Sequence, residues 1–122
     1  MLTIDQLKAD TESPVIIIDE TGVIIHINQT FEKTWGWQKE ALIGQTLATI
    51  LPETLKDAHH MGFARFLVTG KPTILNQAIN LTIMKADGKE AAAEHIMIAE
   101  KIDANWIFGA TIKPLEEAEK KF

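Results

Sequence analysis

The residues best equipped for chemistry are four histidines, His26, His59, His60 and His95, together with Arg65, the sole guanidinium of the chain. An imidazole nitrogen is a good ligand for iron and related metals, and a guanidinium grips a carboxylate through two parallel hydrogen bonds. His59, His60 and Arg65 share one helix-forming segment, LKDAHHMGFARFL. Neighbouring residues on a helix point about 100° apart, so His59 and His60 do not readily face one ion. Arg65 is either the anchor for a small organic acid or a surface cation paired with Asp57 or Glu53.

These groups do not assemble into an enzyme. The chain has no Gly-x-Ser-x-Gly elbow, no His-Glu-x-x-His helix, no phosphate-cradling glycine loop and no nucleophile beside a base. Glu94 and His95 are consecutive on an expected strand and therefore point to opposite faces. Cysteine is absent, which excludes disulfides, thiolate metal sites and cysteine nucleophiles. No catalytic residue is expected.

The elements that must position the histidines follow from periodicity and breakers. Val15 to Ile18 and Val23 to Ile27 are short β-branched runs around Asp19-Glu-Thr-Gly22, which predicts a hairpin with strands at 14–18 and 23–27. Asn28 stands where a helix N-cap belongs, and helices are expected over 29–35 and 38–43. A short amphipathic helix is expected over 3–10 and a longer one over 53–68. Strands follow at about 73–84, 90–101 and 105–112, with turns at Ala86-Asp87-Gly88-Lys89 and Asp103-Ala104-Asn105.

A chain of 122 residues, 46% of them hydrophobic, can bury one core. Its net charge of −5 and lack of a basic cluster argue against direct contact with nucleic acid or anionic lipid. No apolar run reaches membrane-spanning length and MLTIDQLKAD is not a signal sequence, so the cytoplasm and no membrane association are the expectation.

Asn28, Phe31, Gly36 and Trp37, followed by Glu40, Leu42, Ile43 and Gly44, form an Asn-x-x-Phe, Gly-aromatic and Glu-x-Leu-Ile-Gly series. With Leu51-Pro52, Arg65-Phe66-Leu67, Thr69-Gly70 and Asp87-Gly88, their order and spacing resemble the PAS domains over about residues 12–112. The resemblance implies an α+β PAS fold, a five-stranded antiparallel sheet with helices on one face. Residues 1–11 would be an N-terminal flanking helix and 113–122 a C-terminal tail helix. The matching stretch Lys113-Pro114-Leu115 lacks the family's Asp-x-Thr junction, and Pro114 predicts a sharp break after Ile112.

Strand alternation in the family register turns Ala91, Ala93, His95 and Met97 toward the helices, with Ile74 and Ile79 as pocket neighbours. Two alanines leave either a cavity or a helix packed unusually close. His59 lies six residues before Arg65, a spacing that resembles haem-binding PAS sensors, where these are the proximal iron ligand and the propionate partner. Oxygen-sensing members also carry an arginine where this chain has Ile79. A haem here would therefore be six-coordinate, with His95 or Met97 opposite His59. His95 has an alternative role, bonding a buried backbone group in the core. Flavin is a further cofactor candidate, with Trp35, Trp37, Asn76, Gln77 and Asn80 as wall and polar residues, although without the cysteine of light-sensing relatives.

The first β-strands are apolar on both alternating faces, so the outer sheet face needs a cover. The N-terminal helix or a second subunit would supply it, and a homodimer through that face is expected. The expected function is a non-catalytic sensory module that binds a small ligand or cofactor between sheet and helices and signals by dimerisation or by association with an effector protein. The competing expectation is a ligand-free interaction module with a filled core.

Overall fold

A computed structural model describes residues 2–56 and 78–115. Helix α1 (Ile4–Ala9) precedes β1 (Val15–Asp19) and β2 (Ile24–Ile27). Helices α2 (Gln29–Trp35) and α3 (Lys39–Leu42), a 3-10 turn (Leu47–Ile50) and a helical stretch at 53–56 follow. Strands β3 (Ala78–Met84), β4 (Glu90–Ile102) and β5 (Asn105–Pro114) complete an antiparallel sheet in the order β2-β1-β5-β4-β3. The architecture is the α+β sheet-and-helix arrangement expected.

Local chemistry explains the turns. The Asp19 carboxylate accepts hydrogen bonds from Thr21 N–H, Thr21 O–H and Val23 N–H at 2.9, 2.6 and 3.1 Å, closing the first hairpin. Burial pushes its pKa up, but these bonds outweigh that and hold it below the ordinary carboxylate range. Between β4 and β5 the chain reverses in two residues, Asp103 and Ala104, both at positive φ, which matches the twist of the flanking strands.

Asn28 does more than cap α2. Its Oδ1 accepts from Phe31 N–H at 2.9 Å and from Val15 N–H at 3.0 Å. Its Nδ2 donates to the carbonyls of Ser13 at 2.7 Å and Asp10 at 3.0 Å. One side chain thus ties the α1–β1 connection, the start of β1 and the start of α2 together.

The sheet separates two cores. On the inner face Phe31, Trp35, Leu42 and Ile50 pack with Ile16, Ile18, Ile83, Ala93 and Ile112. On the outer face Ile4 and Leu7 of α1 pack with Val15, Ile17 and Ile98. The cover that the two-faced strands require is therefore α1 itself. Thr3 and Gln6 form a reciprocal capping box at its start, and the Ile4 N–H donates to Glu100 Oε1 of β4 at 3.0 Å. Gly109 of β5 makes the approach possible, because a Cβ there would collide with the δ-carbons of Leu7 and Ile4.

Some boundaries differ from expectation. Val23 is bridged to Thr46 outside β2, and the β1–β2 register shifts between Ile17 and Ile18, which turns Ile25 outward at 42% exposure. Lys113 and Pro114 belong to β5 and not to a tail helix, pairing with Glu94 and Ala93. They lie beyond the end of β1, whose last partner on β5 is Thr111, and proline's missing N–H is tolerated at such a strand end.

Candidate functional site

The inner face of β4 carries the described part of the site. Ala91, Ala93 and Met97 contribute to the inner core, and His95 stands on the same face of the strand. Opposite them on β3 are Ile83, Leu81 and Ile79, with Ile79 directly across from His95. On β5 the facing residues are Pro114, Ile112 and Ala110, paired with Ala93, His95 and Met97. Ile112, Ala110 and Phe108 were not picked out as site residues from the sequence, although the alternation of β5 carries the signal for them. His59, Arg65 and Ile74, with His60, Asn76 and Gln77, lie outside the described residues.

His95 is 7% exposed. Its Nδ1 lies 3.3 Å from the Ala93 carbonyl. A carbonyl can only accept, so the contact favours the tautomer with the proton on Nδ1 and the lone pair on Nε2. Burial pushes the pKa below the ordinary imidazole value, and the Ala93 carbonyl offsets part of that shift. His95 is therefore a neutral imidazole at neutral pH.

The sign of the resulting pH dependence is fixed. The folded chain holds fewer protons at His95 than the unfolded chain, so its contribution to stability is complete above about pH 6.5 and is lost as pH falls through the depressed folded value. His26 is shifted the same way, by burial and then by Lys39 and Lys8. Urea unfolding at pH 7.5 and pH 5 should show lower stability at the acid end, with part of that slope abolished in His95→Gln and a separate part in His26→Gln. A slope unchanged by His95→Gln would mean that this imidazole is not buried neutral.

The tryptophans have structural work. Trp35 Nε1–H donates to the Ile112 carbonyl at 3.1 Å and Trp37 Nε1–H to the Met84 carbonyl at 3.0 Å, so Trp35 ties α2 to β5 and Trp37 ties the α2–α3 connection to the end of β3. Asn80 pairs with Glu94 on the outer face and is exposed, on the wrong side of the sheet for an inner-face ligand. The open surface depression bordered by Lys33, Trp35, Gly36, Lys85 and Asp87 includes none of the inner-face residues Ala91, Ala93, His95 and Met97. Among the described residues no group of three or more His, Cys, Asp or Glu side chains could hold a metal ion, and no helix is long and apolar enough to cross a membrane.

An antiparallel five-stranded sheet with short helices packed over one face defines an α+β sheet-and-helix domain. The family model described as "PAS fold" matches residues 4–89, and the chain belongs to the PAS family. Among curated relatives, an uncharacterised protein of Azorhizobium caulinodans is 30% identical over 84% of the chain. The oxygen sensor protein DosP of Escherichia coli is 27% identical over 62% of it, and the sensor protein FixL of Bradyrhizobium diazoefficiens 28% over 61%. The matched stretch spans 14%, 9% and 15% of those proteins, respectively.

Solved structures agree on the fold. A PAS domain from Desulfitobacterium hafniense superposes with a TM-score of 0.68 at 20% identity, covering 84% of this chain and 92% of that one. The PAS domain of the quorum-sensing receptor RpfR of Cronobacter turicensis, in complex with BDSF, gives 0.61 at 18% identity, covering 84% and 95%.

Proposed function

We propose that this PAS domain senses a small ligand or cofactor held against the inner face of β4, and that occupancy changes the docking of α1 and the association of the outer sheet face with a second copy or an effector protein. It has no catalytic step of its own. The observation that carries the reading is the row Ala91, Ala93, His95 and Met97, two small residues beside a buried neutral imidazole. His59, Arg65, Ile74 and Ile79 would complete the pocket. A ligand acts on such an equilibrium only to the extent that it prefers one state, so its binding must alter α1 or self-association measurably. The RpfR domain, in complex with BDSF, supports ligand binding as a use of this fold.

A haem reading has one specific observation in its favour. With Nδ1 directed at the Ala93 carbonyl, His95 has the orientation by which ligating histidines are commonly fixed, leaving Nε2 to bind. His59 and His95 would be the iron ligands, with Met97 the alternative to His95, and Arg65 would face a propionate. Such a group would supply reversible one-electron chemistry. Ile79, across from His95, offers no hydrogen bond to bound oxygen. The sensor names of DosP and FixL are consistent with a signalling role of this kind.

The test is direct. The purified protein is extracted and its small molecules are identified by mass spectrometry, and haemin and flavin mononucleotide are titrated with absorption spectra, all in parallel with Ala91→Leu, which fills the inner face from a half-buried position. Stoichiometric binding that Ala91→Leu abolishes is expected. A Soret band lost in His59→Ala and altered in His95→Ala would select haem. Stoichiometric binding of nothing would overturn the sensing reading in favour of a ligand-free interaction module.

A further inference from the structure

On the reading that a ligand sits against the inner face, the side chains there also specify what kind of molecule it is. His95 is the buried polar side chain of that face among the described residues, at 7% exposure. Ala93 and Met97 flank it along β4, and Ile79 and Ile112 lie across from it on β3 and β5. None of these four side chains can donate a hydrogen bond.

The two ring nitrogens are unequal. Nδ1 lies 3.3 Å from the Ala93 carbonyl, which can only accept, so the proton belongs on that nitrogen and Nε2 carries the lone pair. Nε2 has no hydrogen-bond partner among the described residues. The indole N–H groups that reach the same core are already committed, Trp35 to the Ile112 carbonyl and Trp37 to the Met84 carbonyl. Burial among apolar side chains disfavours a charged ring, which keeps the lone pair free of a proton. What the described inner core has left to offer is thus an acceptor in apolar surroundings. An acceptor buried without a donor is unfavourable, and a ligand that brings the donor removes that cost. A carboxylate fits badly here, because it brings more acceptors and a charge that apolar neighbours cannot solvate.

We infer that the inner-face ligand is an uncharged, largely apolar molecule whose hydroxyl or N–H group donates a hydrogen bond to His95 Nε2, as a phenol, an indole or a long-chain alcohol does and an organic acid anion does not. The small side chains of Ala91 and Ala93 give the apolar body its room, and His95 supplies the discrimination. This ligand class rests on the sensing role proposed above and narrows it.

The experiment is a calorimetric titration of the full chain with para-propylphenol, para-propylanisole and para-propylbenzoate, which share a body and offer a donor, no donor or an anion. The phenol is expected to bind once per chain and at least about tenfold more tightly than either of the others, since a buried acceptor rejects the analogue that leaves it unpaired. His95→Leu should erase the preference between the two neutral compounds, and His95→Gln, which restores an acceptor, should return part of it. Ala91→Leu should abolish binding of the phenol, which places it on the inner face. Equal binding of phenol and anisole that Ala91→Leu abolishes would overturn this ligand class and leave the sensing reading standing. Tighter binding of the benzoate, or haem retained through purification, would do the same. Binding of none of the three would overturn the ligand class, and the sensing reading with it where extraction also yields no small molecule.

Discussion

Asn28→Ala should destabilise the domain by about 3 kcal/mol or more, a large share of the roughly 5–15 kcal/mol that holds a typical domain folded. Losing an Asn N-cap alone costs about 1 kcal/mol. Here the same side chain also serves the Val15 amide and the Asp10 and Ser13 carbonyls, and each partner left unpaired away from water adds about 1–3 kcal/mol before any relaxation. Urea unfolding should show a much lower midpoint with an unchanged slope. Asn28→Asp separates the contributions: it keeps an acceptor for Phe31 and Val15 but sets a second oxygen against two carbonyls, so it should recover less than half of the loss. Near-wild-type stability of Asn28→Ala would show that the connection from α1 to β1 finds other partners.

Gly109→Val should drive α1 off the sheet while leaving the strands intact. Valine favours strand conformation, so β5 gains propensity while any loss reports on the contact with α1. The first added carbon already meets the ends of both Leu7 and Ile4, which are fully buried and have little room to turn aside. Removing those two side chains from the outer core forfeits about 1.5–3 kcal/mol each. Amide exchange across residues 4–9 should accelerate toward that of an isolated peptide, since six residues are too few to hold a helix alone. Exchange equal to wild type would mean that β5 and α1 separate slightly and keep their contact.

The elements were legible where chemistry is local. Asn28 reads as an N-cap because the cap and its helix are adjacent, and Asp19 to Gly22 reads as a turn because the carboxylate bonds its own neighbours. The inner row of β4 was legible from alternation together with the family register, and the doubly apolar β1 announced that something must cover the outer face. What escaped notice depends on residues far apart in the chain. The Asn28 bonds to Asp10 and Ser13 arise only once α1 has folded back across the sheet. Gly109 looks like an ordinary strand glycine until the helix arrives. That His26 Nε2 is buried without a partner becomes apparent only once the chain has packed around β2. Pro114 misled for a complementary reason, because proline's usual role as a breaker gives way where a strand has outrun one of its neighbours.

β5 lies at the centre of the sheet and places Gly109 on one face and Ala110 directly after it on the other. At that point the partition between the two cores is little more than bare backbone. Side chains are the compressible part of a protein wall, since rotamers can shift to take up an intrusion, whereas a hydrogen-bonded strand moves as a unit. A wall without padding passes a push from one room to the next. This thin place in the sheet thus links its two sides, with Met97 on one and the buried face of the N-terminal helix on the other.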